Sequence, residues 1–250
     1  MSPRYLIGEH GAMEIHKPHP IHGWRELLKE VGIIVLGVLI ALGAEQSVAA
    51  LRERHVADEA RRNVLAEVQF NLGFIRDRVR NEPCIDRRID ELAALLGSAR
   101  DGALDPAPTW IGRPSIDPVL SERWQSATAS GRSSLFDPAE QSNFDVMYTL
   151  LDRIFAHETH EQMVWTQLRT LETWAGPLGP AARLAFAEAL QEARYEAWDL
   201  KLDAAFALGT GEALGIELPK ANNLTTSICL PLNTTRADAL RRLGTPWGEP

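Results

Sequence analysis

The chain has little cysteine, no excess of basic charge and few alternating β-branched residues. Lys and Arg number 26 against 34 Asp and Glu, and the formal net charge is −8. Nothing resembles the basic stripe that neutralises phosphates, so we predict no nucleic-acid partner. The composition is instead rich in Ala, Leu, Glu and Arg, which is typical of an all-α protein.

Catalytic signatures are also missing. The glycine-rich stretch 209–215 neither follows a strand pattern nor opens a βαβ unit, so it does not predict a dinucleotide site. There is no nucleophile-elbow serine, and neither cysteine has a histidine partner in its sequence context. The motif His157-Glu-Thr-His160 differs from that of zinc proteases because its second histidine comes one residue too early. We therefore predict no enzyme activity and no cofactor.

The longest apolar run, 31–44, lies between Glu30 and Glu45 near the start of the chain. As a helix it covers about 21 Å, short of the roughly 30 Å hydrocarbon core of a membrane. Apolar residues on both sides extend it, so we predict a transmembrane helix over about 27–50. Glu30, Glu45 and Gln46 then lie near its ends.

Two other interpretations of this segment stay open. Val48-Ala49-Ala50 is an acceptable cleavage pattern for a signal peptide. A run of this length also occurs as a buried helix of a soluble protein. Met13 is a second possible start of the chain, which would make residues 1–12 an artefact.

Small and polar residues in the span suggest contacts in the membrane. Gly37 and Ala41 lie one helical turn apart, and so do Gly43 and Ser47, which would let another helix pack closely. Glu45 and Gln46 are candidates for a proton path or for gripping a partner helix. The predicted partners are membrane lipid and, through the transmembrane helix, other membrane proteins or a second copy of the chain.

The orientation of the span follows from the cysteines, because basic residues nearly balance on its two sides. Cys84 and Cys229 both lie after the span, and in an oxidising compartment they can pair. Closing that loop would contribute about 4 to 5 kcal/mol in the chain-entropy model. We predict a bacterial inner-membrane protein with a cytoplasmic N-terminus and a periplasmic domain. The alternative is a cytoplasmic domain with two unpaired thiols.

Helical periodicity continues after the span. Apolar residues recur every three or four positions from Val56 to Val79, so the membrane helix should run on to about Arg80 and end at Asn81-Glu-Pro83. We predict a helix at 85–96, a long loop at 97–118 and a short helix at 119–130. Two longer helices should start at Pro138 and Pro180, and glycines 209, 211 and 215 should end the second of them. An extended piece around 228–230 and a short helix at 235–243 complete the prediction.

The predicted architecture is one N-terminal transmembrane helix continuing into an antiparallel helical bundle. Its parts are a flexible tail at 1–22, the transmembrane helix at 23–50, the bundle at 51–219 and a C-terminal segment at 220–250.

Histidines give two weak candidates for a metal site. His16, His19 and His22 fall on one face of a polyproline II helix, although a flexible tail explains them as well. His157 and His160 lie one helical turn apart, and His157 and Glu161 continue an apolar stripe between Ile154 and Val164. Because no matching Glu-x-x-His is found on another helix, the predicted role is a polar layer inside the bundle rather than a metal centre.

Two segments resemble a known family. The run from Glu30, Glu-Val-Gly-Ile-Ile-Val-Leu-Gly-Val-Leu-Ile-Ala-Leu, resembles the membrane segment of bacterial single-pass proteins known only as a domain of unknown function. The stretch from Trp124, Trp-Gln-Ser-Ala-Thr-Ala-Ser-Gly-Arg-Ser-Ser-Leu, is similar to the segment before that family's long helix. The resemblance implies topology and no site.

These features favour a structural or accessory interaction partner of a membrane assembly. The alternative hypothesis is a membrane-anchored bundle that senses a small ligand and signals through its continuous helix.

Overall fold

The computed structural model describes residues 23–99, 104, 106–218, 221 and 225–244. Within these ranges every regular element is helical, so the all-α prediction is confirmed. The predicted tail, with His16, His19 and His22, lies outside the described residues. The helices are α1 (Trp24–Ser98), α2 (Glu122–Ala129), α3 (Pro138–Arg169), α4 (Pro180–Ala213) and α5 (Arg236–Leu243), with 3-10 turns at Arg132–Leu135, Thr170–Thr173 and Ser227–Cys229.

The chain divides into two compact units, Met1–Glu53 and Arg54–Pro250. The described part of the C-terminal segment, which the sequence sets apart at 220–250, belongs to the same unit as the bundle. We call Arg54–Pro250 the helical unit.

In the first unit the described residues form the start of α1, and all of them are exposed. An 18-residue window of this helix has a mean hydropathy of 2.2 and is 0% buried. By length and composition, the segment is therefore able to cross a membrane.

The predicted helix end at Asn81-Glu-Pro83 is wrong, because α1 runs through Pro83 to Ser98. A proline inside a helix costs about 3 kcal/mol. However, Ile85, Ile89 and Leu92 continue the buried stripe of α1 in phase and are at most 2% exposed. Burial of such a side chain contributes about 1.5 to 3 kcal/mol, so an uninterrupted helix is favoured over a break.

The helical unit has two main apolar clusters. The first contains Val64, Val68 and Leu72 of α1 with residues of α2, α3 and the end of α4. The second contains the stripe of α1 beyond Pro83 with the other ends of α3 and α4. α3 and α4 pack extensively against each other.

Local sequence signals account for how α3 and α4 begin. The Asp137 side chain accepts hydrogen bonds from the amides of Ala139 and Glu140, and Pro138 occupies the first helical position. Pro180 also occupies the first helical position of α4, but the residue before it, Gly179, provides no side-chain cap. Both starts agree with the predictions from the sequence.

The end of α4 differs from its prediction, because Gly209 and Gly211 lie inside the helix. A Cβ at Gly211 would lie 2.4 Å from Leu72 Cδ1. This glycine therefore permits close packing of α4 on α1 rather than ending the helix. Gly215, with φ of +70°, follows the last turn and has the left-handed conformation of a helix-terminating glycine.

The C-terminal segment is attached to α1 and to the loop before α2. Cys84 and Cys229 form a disulfide with a Cα–Cα distance of 4.9 Å, as the sequence predicts. The amides of Thr109 and Trp110 donate to the carbonyl of Leu232 at 2.9 and 3.0 Å. The residues around Cys229 form a 3-10 turn rather than the predicted extended piece.

Candidate functional site

A layer of charged side chains lies inside the helical unit, between its two apolar clusters. α1 contributes Arg78 and Glu82, α3 contributes Glu158 and Glu161, and α4 contributes Glu196. All five are at most 9% exposed. They follow the same helical period as the apolar residues before and after them, and that period directs them inward. We call these five residues the ionic layer.

The central contact of the ionic layer joins α1 to α3. Arg78 Nη2 donates to Glu161 Oε1 at 2.7 Å, with side chains that are 4% and 0% exposed. Burial raises the pKa of Glu161, and the charge and hydrogen bond of Arg78 oppose that rise. Loss of either partner would leave the other as an uncompensated charge in a nonpolar interior.

Glu158 is the member of the layer whose ionisation falls near neutral pH. Its Oε2 accepts a hydrogen bond from the Asp117 amide at 3.4 Å. Burial raises the pKa of Glu158 to about 7, although the Arg78 charge lowers it. Asp117 has a raised pKa of its own, caused first by burial and then by the charge of Asp77.

A hollow of about 250 Å³ lies beside the Asp117 carboxyl group. It is lined by Phe74, Asp77, Arg80, Asn81, Ser115, Asp117 and Thr226. Asp117 is therefore at the edge of the ionic layer, between the interior and a small polar recess of the surface.

Two histidines of α3 share the carboxylate of Glu196 on α4. Glu196 Oε2 lies 2.7 Å from His157 Nδ1, and Oε1 lies 2.9 Å from His160 Nδ1. His160 Nε2 lies 3.2 Å from Glu192, so both nitrogens of this ring face acidic groups.

The three metal candidates from the sequence do not form one site. His157 and His160 contact Glu196 of α4, whereas Glu161 contacts Arg78 of α1. Among the described residues, no group of three or more His, Cys, Asp or Glu side chains could hold a metal ion. The sequence also places His157 in the interior, but Glu158 is the buried residue and His157 lies at the edge.

The remaining predicted site residues lie in the described part of the first unit. Cβ atoms added to Gly37 and Gly43 would meet nothing within 4 Å, and Ala41 and Ser47 are exposed. Ser47 Oγ donates to the Gly43 carbonyl at 2.7 Å, which satisfies its hydroxyl within the helix. Glu30, Glu45 and Gln46 are exposed as well.

Sequence reasoning missed Arg88, which is 0% exposed. Its guanidinium donates to the carbonyls of Trp110, Ile111 and Leu230 and to Glu91. Burial lowers the pKa of Arg88, and the Glu91 charge and hydrogen bond act in the other direction. Arg88 thus connects α1 to two segments that are distant in sequence.

Glu67 and Asn71 are two further buried polar residues that the sequence did not indicate. Glu67 accepts from the amides of Arg123 and Trp124 at 2.9 and 3.3 Å, and from the Tyr148 hydroxyl at 2.6 Å. It therefore caps the first turn of α2 from another helix. The one sequence feature that indicates the burial of Glu67 and Asn71 is their position on the apolar stripe of α1.

Comparison of the chain with family models, curated proteins and solved structures finds no match.

Proposed function

We propose that this chain is a single-pass inner-membrane protein whose helical domain lies in the periplasm and acts as a structural or accessory partner of a membrane assembly. The observation that carries the proposal is the apolar first part of α1, of which 0% is buried. Apolar surface of this extent is unfavourable in water, and a bilayer or a protein partner removes it from water.

The periplasmic location is supported by the disulfide of Cys84 and Cys229. Disulfides persist in oxidising compartments and are rare in the bacterial cytosol. With the helical unit in the periplasm, the N-terminus is cytoplasmic.

A structural role is supported by how the helical unit uses its buried charges. Arg78 binds Glu161, and Glu196 binds two histidines, so these groups connect α1, α3 and α4 to one another. Such contacts fix the register of the helices. A domain that supports other proteins needs a fixed shape more than a reactive group.

The test is purification from native membranes in mild detergent, followed by mass spectrometry of the proteins that remain bound. We expect a defined set of membrane proteins, and we expect both cysteines to resist thiol labelling until a reductant is added. A protein without partners would contradict the accessory role, and thiols that label without reductant would contradict the periplasmic location.

A variant pair tests whether partners contact the span itself. Gly37→Ile adds a branched side chain where a neighbouring helix would approach, whereas Val38→Ile enlarges a residue on a different face. We expect the first variant to lose co-purifying proteins and the second to retain them.

Ligand sensing is a second candidate function, favoured by a hollow of about 610 Å³. Its walls are mostly apolar and include Ala94, Leu95, Pro106, Pro108 and Leu232. This volume is within the range of small-molecule sites. A rise in melting temperature with one compound of a panel would support sensing, because a ligand stabilises the folded state by mass action.

A further inference from the structure

The outward face of α4 carries large apolar side chains that the helical unit leaves uncovered. Tyr195, Trp198, Leu202 and Phe206 are 57%, 59%, 41% and 57% exposed. The opposite face of the same helix fills both apolar clusters. α4 is therefore apolar on two faces, although the fold uses only one of them. We call these four exposed residues the α4 stripe.

The spacing of the α4 stripe is that of a coiled-coil seam. Tyr195, Trp198 and Leu202 are separated by three and four residues, and Ala205 and Gly209 continue the alternation. Phe206 lies directly beside this seam. A seam with this period keeps facing one neighbouring helix along its whole length.

The exposed area is large enough to matter for association. An aromatic side chain carries about 150–250 Å², so from the exposed fractions the α4 stripe presents roughly 400 Å² of apolar surface per copy. The largest apolar patch on a typical monomer covers about 300–600 Å² and is often functional. Two stripes face to face would bury about 800 Å², and flanking residues would bring the total toward the 1,200 Å² or so of a specific interface.

The charges beside the seam are self-complementary. When Tyr195 and Leu202 are first positions of consecutive heptads, Arg194 and Asp199 fall on its two flanks. In a parallel pair of helices such flanking positions, five residues apart, meet across the interface. Arg194 of one copy would therefore lie opposite Asp199 of the other, whose side chain is 18% exposed and lies 4.0 Å from His157 Nε2 of its own copy. Two-fold symmetry forms this pair twice.

Arg194 is available for such a contact. Its side chain is 42% exposed and lies 3.5 Å from Asp90, which is itself 78% exposed. Exposed ion pairs of this kind contribute little to stability, so Arg194 can exchange Asp90 for a carboxylate of the second copy at a small cost in free energy. Lys201, on the same flank as Arg194, pairs with Glu82 of its own copy at 3.1 Å, and its alkyl stem would lie beside Phe206 of the second copy.

We propose that the α4 stripe is the contact between two copies of this chain, which pair through parallel α4 helices around a two-fold axis. We choose a second copy as the binding partner because the apolar seam and its flanking charges are both self-complementary under two-fold symmetry. This inference is independent of the proposed partners of the span.

The first test measures the mass of the full chain in detergent micelles by light scattering. We expect a dimer, and we expect Trp198→Ala combined with Leu202→Ser to raise the dissociation constant at least tenfold. Phe155→Ala is the matched control, because Phe155 is an aromatic residue of α3 that is 45% exposed. A monomeric parent protein, or a dimer that both sets of variants leave intact, would overturn the proposal.

The second test examines the proposed ion pair between Arg194 of one copy and Asp199 of the other. Arg194→Asp should weaken the dimer, and Arg194→Asp combined with Asp199→Arg should restore it, because the pair is re-formed with its charges exchanged. Circular dichroism of each variant checks that the helices stay folded. A folded double variant that dimerises no better than the single variant would contradict the proposed pairing.

The third test distinguishes parallel from antiparallel helices by oxidative cross-linking. Tyr195→Cys should cross-link with a second copy of itself in a parallel pair, whereas Asp152→Cys on the exposed side of α3 should not. In an antiparallel pair centred on Leu202, Tyr195→Cys would instead cross-link with Gly209→Cys of a different copy. That result would overturn the arrangement proposed here.

Discussion

Glu158→Gln should stabilise the helical unit at alkaline pH and should have little effect at acidic pH. In the folded chain burial raises the pKa of Glu158 from 4.5 to about 7, so the folded state binds this proton more tightly than the unfolded state does. The resulting stability is complete below about pH 4.5 and is lost as the pH rises through about 7. Glutamine resembles the protonated acid and does not titrate.

The magnitude follows from the size of the rise. Each unit of pKa corresponds to about 1.36 kcal/mol, so a rise of about 2.5 corresponds to about 3 kcal/mol. We expect the variant to be more stable than the parent protein by about this amount at pH 8.5, and by about zero at pH 4.5. Arg78, Asp117 and Glu161 surround the carboxyl group in both proteins, so their own titration largely cancels in the difference.

The assay is urea unfolding of the full chain in detergent micelles, followed by far-ultraviolet circular dichroism at several values between pH 4.5 and 8.5. Glu188→Gln makes the same chemical change at an exposed position of α4 and should show no such trend. The reasoning is refuted if the two glutamine variants show the same pH dependence, or if Glu158→Gln is the less stable protein at pH 8.5.

Three further predictions concern other contacts of the helical unit. Replacing Cys84 and Cys229 by serine removes the constraint on a loop of 145 residues, and urea unfolding should show a loss of about 4 to 5 kcal/mol. Arg78→Met leaves Glu161 buried and unpaired, so we expect a loss of about 3 to 5 kcal/mol, much of which Arg78→Met with Glu161→Leu should restore. Gly112→Ala should lower the melting temperature sharply, because φ is +69° and the new Cβ would lie 2.4 Å from a backbone oxygen. A melting temperature within a degree or two of that of the parent protein would contradict this prediction, because the backbone at Gly112 would then have moved to accommodate the new Cβ.

The sequence predicts those elements whose causes are local. Asp137 and Pro138 begin α3 because a carboxylate cap and a proline act on the first turn alone. The pairing of Cys84 with Cys229 was also accessible, since the chain has two cysteines. The helix end predicted at Pro83 was wrong because the sequence does not show that the apolar residues after Pro83 are buried in phase with those before it. Their burial offsets the cost of a proline inside the helix.

The interior of α3 shows why the ionic layer was located only approximately. After Ile154 a buried stripe can continue at His157 or at Glu158, because three and four residues are equally good steps along a helix. The structure takes the second option, and Trp165 then follows Glu161 into the interior. The burial of Arg88 could not be predicted for a different reason, since the carbonyl groups that accept its hydrogen bonds come from loops elsewhere in the chain.

The disulfide also constrains how the protein is made. Cys229 follows Cys84 by 145 residues, and synthesis at about 5 to 20 residues per second takes roughly 7 to 29 seconds to cover that distance. During this interval the first thiol exists without its partner. Because the chain has two cysteines in all, no incorrect bond within one molecule can form, and the only mispairing during biogenesis is with a different polypeptide. Oxidation therefore follows the synthesis of α3 and α4, which both lie between the two cysteines.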